Sequence, residues 1–245
     1  MNNRVAHTKF IPTMINSKEV KMNKQFNILS ILVILMFNIS CDKNDPVNIP
    51  SENYLGGDTN VTLGQVGNTF NGYVKIGDNH YNLNEEMSII SNEDGIVTAN
   101  LKADLSQIPE LSSIQNIAPT EFLDNDGKID FDLKFKVTSD GIQDFSNDDN
   151  YAHTLVDYNS VVGSAYTIRH SDGAVHTRQV TAKSTTDDFY WGGMLIKTIT
   201  VEQMAPIPGV EKYILQANHR FGIVYFEIVM EDGSSISSPF YPRYY

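Results

Sequence analysis

The 245-residue sequence predicts an all-β protein: one or two antiparallel β domains, sandwich-like or half-barrel, behind an export leader and a flexible tether. Two observations carry the fold. Apolar and polar residues alternate with a period of two over long segments, which puts the apolar side chains on one face of a strand. Gly-Asp and Asp-Gly pairs fall between such segments, where tight hairpins need residues that tolerate positive φ. A third observation, an apolar run ending at the only cysteine, Cys41, sets the leader apart from the rest of the chain.

The leader comes first. Phe26 to Ile39 is apolar apart from Asn27, Ser30 and Asn38, follows Lys21 and Lys24, and precedes Ser40 and Cys41. A bilayer-spanning helix needs about 20 apolar residues, more than this run supplies. A basic flank, a short apolar centre and a small residue before the cut are the layout of a cleaved export signal. Met22 opens a leader of ordinary length, so residues 1–21 read as a start placed too early and 1–40 as the signal peptide. The tetrad Asn38-Ile39-Ser40-Cys41 resembles the lipobox of bacterial lipoproteins, with Asn38 and Ile39 standing where Leu and a small residue are usual. With Asp42-Lys43-Asn44-Asp45 behind it, the segment resembles the lipoproteins of Bacteroidota. That resemblance implies acylation of Cys41, attachment to the outer membrane through the acyl chains, and display at the cell surface. Residues 41–57, rich in Asn, Asp, Pro and Gly, then form a lipidated tether with little to bury.

Charge narrows the partners. Residues 1–40 hold Arg4, Lys9, Lys18, Lys21 and Lys24 against Glu19, so residues 41–245 carry 13 basic and 29 acidic side chains, a net charge of −16. Nucleic acid is excluded as a partner, because phosphate binding needs clustered Lys and Arg. Anionic lipid is repelled, which leaves the acyl chains on Cys41 as the membrane attachment. With no other cysteine there is no disulfide scaffold, and stability has to come from an ordinary core.

Within the mature chain, Val97, Ala99, Leu101, Ala103 and Leu105 alternate with Thr98, Asn100, Lys102 and Asp104. Ile129, Phe131, Leu133, Phe135 and Val137 alternate with Asp130, Asp132, Lys134, Lys136 and Thr138. Both read as half-buried antiparallel strands. Between them Ile108, Leu111, Ile114 and Ile117 recur every third residue after Ser106, a candidate cap, which predicts a short helix or 3₁₀ turn across the sheet. Hairpins are expected at Gly77-Asp78-Asn79, at Asp172-Gly173 and at Asp232-Gly233. Ile223 to Met230 is apolar on both faces and reads as a central strand.

The acidic, turn-rich stretch Asp140 to Asn150 divides a first β domain, 58–140, from a second, 150–245. In the second, Val162-Gly163-Ser164-Ala165-Tyr166 and Phe221-Gly222-Ile223-Val224 resemble the curved half-barrels of periplasmic lipoprotein carriers and related envelope domains. An immunoglobulin-like sandwich is the alternative for either half.

Four constellations are candidates for chemistry. Asp124, Asp126 and Asp130, spaced around Gly127, resemble part of an extracellular calcium loop, since carboxylates at alternate positions around a glycine turn can converge on Ca²⁺. A glutamate at the closing position is absent, and the plainer reading is a turn into the strand at Ile129. His170 and His176 flank a hairpin turn; a three-residue loop sets them on one face and a two-residue loop on opposite faces. Phe189-Tyr190-Trp191-Gly192-Gly193 follows Asp187 and Asp188, a pattern that suits a sugar, whose apolar face stacks on a ring while its hydroxyls need acceptors. The plainer reading is an aromatic plug in the core. The tail Phe240 to Tyr245 reads as a last strand or an adhesive end.

No catalytic residue is expected. The sequence has no Gly-x-Ser-x-Gly elbow, no phosphate-binding Gly-rich loop and no His-Glu-x-x-His helix. The expected function is that of a lipid-anchored, surface-exposed binding or interaction module for a glycan or protein ligand, acting through Trp191, Tyr190, Asp187 and Asp188. A periplasm-facing carrier of an apolar ligand and a hydrolase without a local signature are the alternatives.

Overall fold

The structure, a computed structural model, describes residues 54–82, 87–109, 123–146, 152–169, 175–205 and 208–243. The leader, Cys41, the acidic tether up to residue 53, most of the three-spaced run after Ile108, His170 and the Asp172-Gly173 turn lie outside the described residues. Fifteen strands are described: β1 (Thr69–Ile76), β2 (Asn79–Asn82), β3 (Met87–Glu93), β4 (Ile96–Ala103), β5 (Ile129–Val137), β6 (Gly141–Asp144), β7 (His153–Asp157), β8 (Ala165–Arg169), β9 (Val175–Lys183), β10 (Phe189–Trp191), β11 (Met194–Ile196), β12 (Ile199–Met204), β13 (Val210–Asn218), β14 (Gly222–Met230) and β15 (Ser235–Arg243). The fold is all-β, as the alternation predicts.

Thirteen strands join one antiparallel sheet in the order β7-β6-β5-β4-β3-β1-β15-β14-β13-β12-β9-β8, with β2 also on β1. Its two ends, β7 and β8, approach each other, so the sheet is a nearly closed barrel. Near its start β1 pairs with β3 through Thr69 and Phe70, and further along it pairs with β2 from Tyr73 to Ile76. Strands from both ranges, 58–140 and 150–245, belong to this one sheet and share one core: Val97 and Leu133 are buried in the same cluster as Val180, Val201, Ala217 and Ile236.

Local chemistry matches most of the expected turns. Ile76 pairs with Asn79, leaving Gly77-Asp78 as a two-residue turn with Gly77 at φ 57°. Met230 and Ser234 bracket Glu231-Asp232-Gly233, with Gly233 at φ 81° taking the left-handed position of a three-residue loop. Arg169 pairs with Val175 and Ile168 with His176, the register of the three-residue alternative between β8 and β9. β14 lies between β13 and β15, the central place its two apolar faces predict. After β4 a 3₁₀ turn forms at Leu105–Gln107, capped by Asp104, whose carboxylate accepts from the Ser106 amide at 3.0 Å; the helix or turn expected over Leu111, Ile114 and Ile117 lies outside the described residues. Ile108 follows the Leu105–Gln107 turn, fully buried.

A second 3₁₀ turn, Thr62–Gly64, packs Leu63 into the shared core. Leu63 is buried against the start of β14, where a Cβ on Gly222 would stand 2.6 Å from the Leu63 Cδ2. Gly222 is also at φ 73°, so the close approach and the backbone both require glycine. Upstream of this turn the chain is strapped to the outside of β5 and β6. The Leu55 amide donates to Gln143 Oε1 at 2.9 Å, Tyr54 stacks on Phe145 at 5.8 Å, and the Lys136 ammonium sits 4.1 Å from the Tyr54 ring centre. The tether therefore joins the barrel wall at β5–β6.

The seam between β7 and β8–β9 is held by side chains where strand pairing stops. Arg178 donates to the Thr154 carbonyl at 2.9 Å, and Lys183 donates to the carbonyls of Tyr158 and Ser160 at 2.9 and 2.8 Å. Buried main-chain acceptors left at an open edge would be costly, and these cations satisfy them.

Candidate functional site

The aromatic segment around Trp191 is a separate two-stranded hairpin, β10–β11, inserted between β9 and β12. Trp191 pairs with Met194 across Gly192-Gly193, both at positive φ (56° and 88°), so the turn is the two-residue kind that only glycine or a few polar residues accept. One face of the hairpin is apolar and closed. Trp191 is 6% exposed and, with Ile196, packs on Val224, Phe221 and Tyr241. Its indole N–H donates to the Phe240 carbonyl at 2.9 Å, its ring stacks 5.4 Å from Tyr241, and Phe221 lies at 4.7 Å. Phe189 meets Tyr225 edge-on at 6.3 Å. The opposite face is open: Tyr190 is 73% exposed and its cross-strand partner Leu195 is 55% exposed.

These placements separate the four expected ligand-binding residues. Trp191 is a buried anchor and offers no stacking surface of its own. Tyr190, on the opposite side of the same strand, is the ring presented to solvent. Asp187 and Asp188 are exposed at the root of the hairpin, where Asp188 accepts from the Ser184 hydroxyl.

The surface on which the hairpin lies was not singled out in the sequence. Val74 and Ile76 of β1 point into the core, which turns Tyr73 and Lys75 outward. Lys75, Ser237 and Glu227 stand abreast on β1, β15 and β14, and Tyr225 is abreast of Pro239. Tyr73, Tyr225 and Tyr241 thus share the outer face of three adjacent strands. The Tyr225 hydroxyl donates to Glu227 at 3.1 Å, and the Tyr73 ring lies 5.0 Å from His80 of β2. Burial pushes the Tyr225 phenol above its ordinary range, and Glu227 adds to the shift. The Tyr241 phenol is raised in the same way by burial, then by its neighbours Tyr73 and Tyr190. Both hydroxyls therefore stay protonated at neutral pH, able to donate and accept. Trp191 lies on Tyr241 and Phe189 against Tyr225, so the hairpin covers part of this surface, while Tyr190 on its far side still neighbours Tyr241; the four tyrosines and Glu227 form a polar aromatic face floored by β1, β15 and β14.

A small residue is needed in that floor. Pro239 has no amide proton for the β1–β15 ladder, and the strands close up beside it so that a Cβ on Gly72 would stand 2.8 Å from the Pro239 carbonyl oxygen. No local sequence pattern marked the face. Tyr73 and Tyr241 come beside Tyr225 only because β1 pairs with β15, and pairing of the two ends of a domain cannot be read from local periodicity.

The aspartate loop is a turn. Asp124 Oδ1 accepts the amides of Asp126 and Lys128 at 2.8 and 2.9 Å, and the Gly127 amide bonds the Asp124 carbonyl at 3.0 Å. Asp130 faces away to Asn100 at 2.8 Å and Lys102 at 3.1 Å. Among the described residues no group of three or more His, Cys, Asp or Glu side chains is placed to hold a metal ion.

A buried charged cluster lines the inner face beside the seam. Asp144 is 3% exposed, stands opposite His153 in the β6–β7 register and accepts the Ser146 amide at 2.8 Å. Burial pushes its carboxyl up to about 7, against the opposing pull of that amide and of Arg178. Arg178 is brought down to about 10 by burial and donates to Gln203 Oε1 at 2.9 Å, so it remains charged at neutral pH. Arg178 also donates to the Thr154 carbonyl of β7, so the same guanidinium reaches across the seam. Among the described residues no helix is long and apolar enough to cross a membrane. No protein-family model matches the chain, and no curated protein matches it.

Proposed function

We propose that the chain is a lipid-anchored envelope protein displayed at the cell surface, and that it acts as a binding module through the tyrosine face beside the β10–β11 hairpin. One observation carries the reading: the buried Trp191 fixes a short hairpin whose other side offers Tyr190 to solvent next to Tyr73, Tyr225 and Tyr241. Rings held rigidly by a buried anchor bind without first losing conformational freedom. The anchor rests on Cys41 and its acidic flank, and the strap at Tyr54–Leu55 would hand the pull of a membrane tether to the barrel wall.

The test uses intact cells. Protease added outside should remove the protein, and Cys41→Ser should leave it in the soluble or precursor fraction after a high-salt wash. Cells carrying the wild-type chain should bind members of a glycan and protein array that cells carrying Tyr73→Ala with Tyr190→Ala do not. Protection from external protease would overturn the address. Array binding unchanged by the double substitution would overturn the face.

A further inference from the structure

We infer that the ligand of the tyrosine face is an uncharged polysaccharide, an inference that rests on the face being the binding surface. The floor spans three strands, about 10 Å from β1 to β14 at the usual strand spacing. Its groups are those a sugar uses. Tyr190 and Tyr73 offer rings to the apolar side of a pyranose, and Tyr225 and Tyr241, whose rings lie against Phe189 and Trp191, add hydroxyls that can donate and accept. Glu227, already accepting from Tyr225, is a further acceptor for sugar hydroxyls, and the exposed Asp187 and Asp188 stand at the edge. An acyl chain would leave these hydroxyls and carboxylates unpaired in an apolar contact, which is costly.

Charge selects among polysaccharides. On the floor Lys75 and Glu227 flank Ser237, and Arg243 follows Tyr241 on the same side of β15, so with Asp187 and Asp188 at the edge the described residues set two cations against three anions and give no positive excess to hold a run of sugar carboxylates or sulfates. The chain as a whole has a formal net charge of −12, which repels polyanions over the distance of approach. A neutral polymer meets neither penalty. It also presents the same hydroxyl pattern at each unit, which matches a face made of repeated tyrosines.

Affinity electrophoresis of the detergent-solubilised full chain tests this. Native gels are cast with neutral polymers (dextran, mannan, xyloglucan), with acidic ones (polygalacturonate, hyaluronan) or with gelatin as a protein polymer. The expected result is a mobility at least twofold lower in one or more neutral gels than in the plain gel. Tyr73→Ala and Tyr190→Ala should each restore free mobility while keeping the wild-type melting midpoint. Tyr73→Phe, which keeps the ring and loses the hydroxyl, should retard only partly. Retardation confined to acidic polymers or gelatin, and lost in the alanine variants, overturns the neutral ligand and leaves the face standing. Retardation indifferent to both alanine variants overturns the face itself. Free mobility in every neutral gel overturns the inference.

Discussion

Trp191 donates its indole N–H to the Phe240 carbonyl at 2.9 Å while its ring lies stacked on Tyr241, the next residue of the same strand. One side chain thus binds β10 to β15 by a hydrogen bond and by ring contact, and positions Tyr190 above the tyrosine face. Trp191→Ala should cost about 3–5 kcal/mol, the range for an aromatic ring removed from a packed site. Trp191→Phe should keep most of the packing and lose about 1 kcal/mol with the hydrogen bond. Urea unfolding gives both values. Because this is the only tryptophan, wild-type emission should be blue-shifted and resistant to quencher, and red-shifted, quenchable emission would contradict the anchor.

The carboxyl of Asp144 gives stability a definite pH dependence. Burial pushes it from the ordinary 3.8 of an exposed aspartate up to about 7, so the folded state holds an extra proton between those values. Its contribution is complete below about pH 4 and is lost as pH rises through 7. Asp144→Asn removes the titration. Relative to wild type, the variant should become more stable between pH 4.5 and 7.5, by an amount on the order of a few kcal/mol. A difference that stays constant across that range in denaturant titrations would contradict the assignment.

Asp124 and Asp126 should separate in a mutational test of the loop before β5. Asp124 accepts two amides through one oxygen, and Asp124→Ala should destabilise by about 1 kcal/mol. Asp126, exposed, should tolerate alanine within about 0.5 kcal/mol. Both variants and the wild type should melt at the same temperature with chelator as with millimolar calcium, since Asp130 is turned toward Asn100 and Lys102. A calcium-dependent rise in the wild-type midpoint would contradict this.

The strands were legible because their cause is local. The alternation from Ile129 to Val137 marks β5 at the limits observed, and Gly77-Asp78 and Asp232-Gly233 mark their hairpins because few other residues adopt positive φ cheaply. The short turn Leu105–Gln107 at the end of the first alternating run was not foreseen, because it is set by the Asp104 carboxylate accepting from the Ser106 amide, a bond with no sequence signature. The aromatic cluster was found, but its polarity was not. Trp191 and Tyr190 are neighbours on a strand and so must face opposite ways, yet which one faces the barrel depends on Val224, Phe221 and Tyr241, all remote in sequence. The tyrosine face and the Asp144–Arg178 cluster were out of reach for the same reason. One is assembled by the pairing of β1 with β15, the other by the approach of β6–β7 to β8–β9 across the seam.

The most direct test of the binding face uses Trp191 as its reporter. Trp191 stacks on Tyr241 from beneath the hairpin, so a polymer seated on Tyr73, Tyr190 and Tyr241 should change its emission. The full chain is titrated with the neutral polysaccharide that retards it most in the gel. Wild type should show a saturable change in tryptophan emission, with a midpoint matching the gel, and Tyr73→Ala with Tyr190→Ala should show none. Undisturbed emission in wild type under conditions where the gel shows binding would place the ligand elsewhere and contradict a binding role for the tyrosine face.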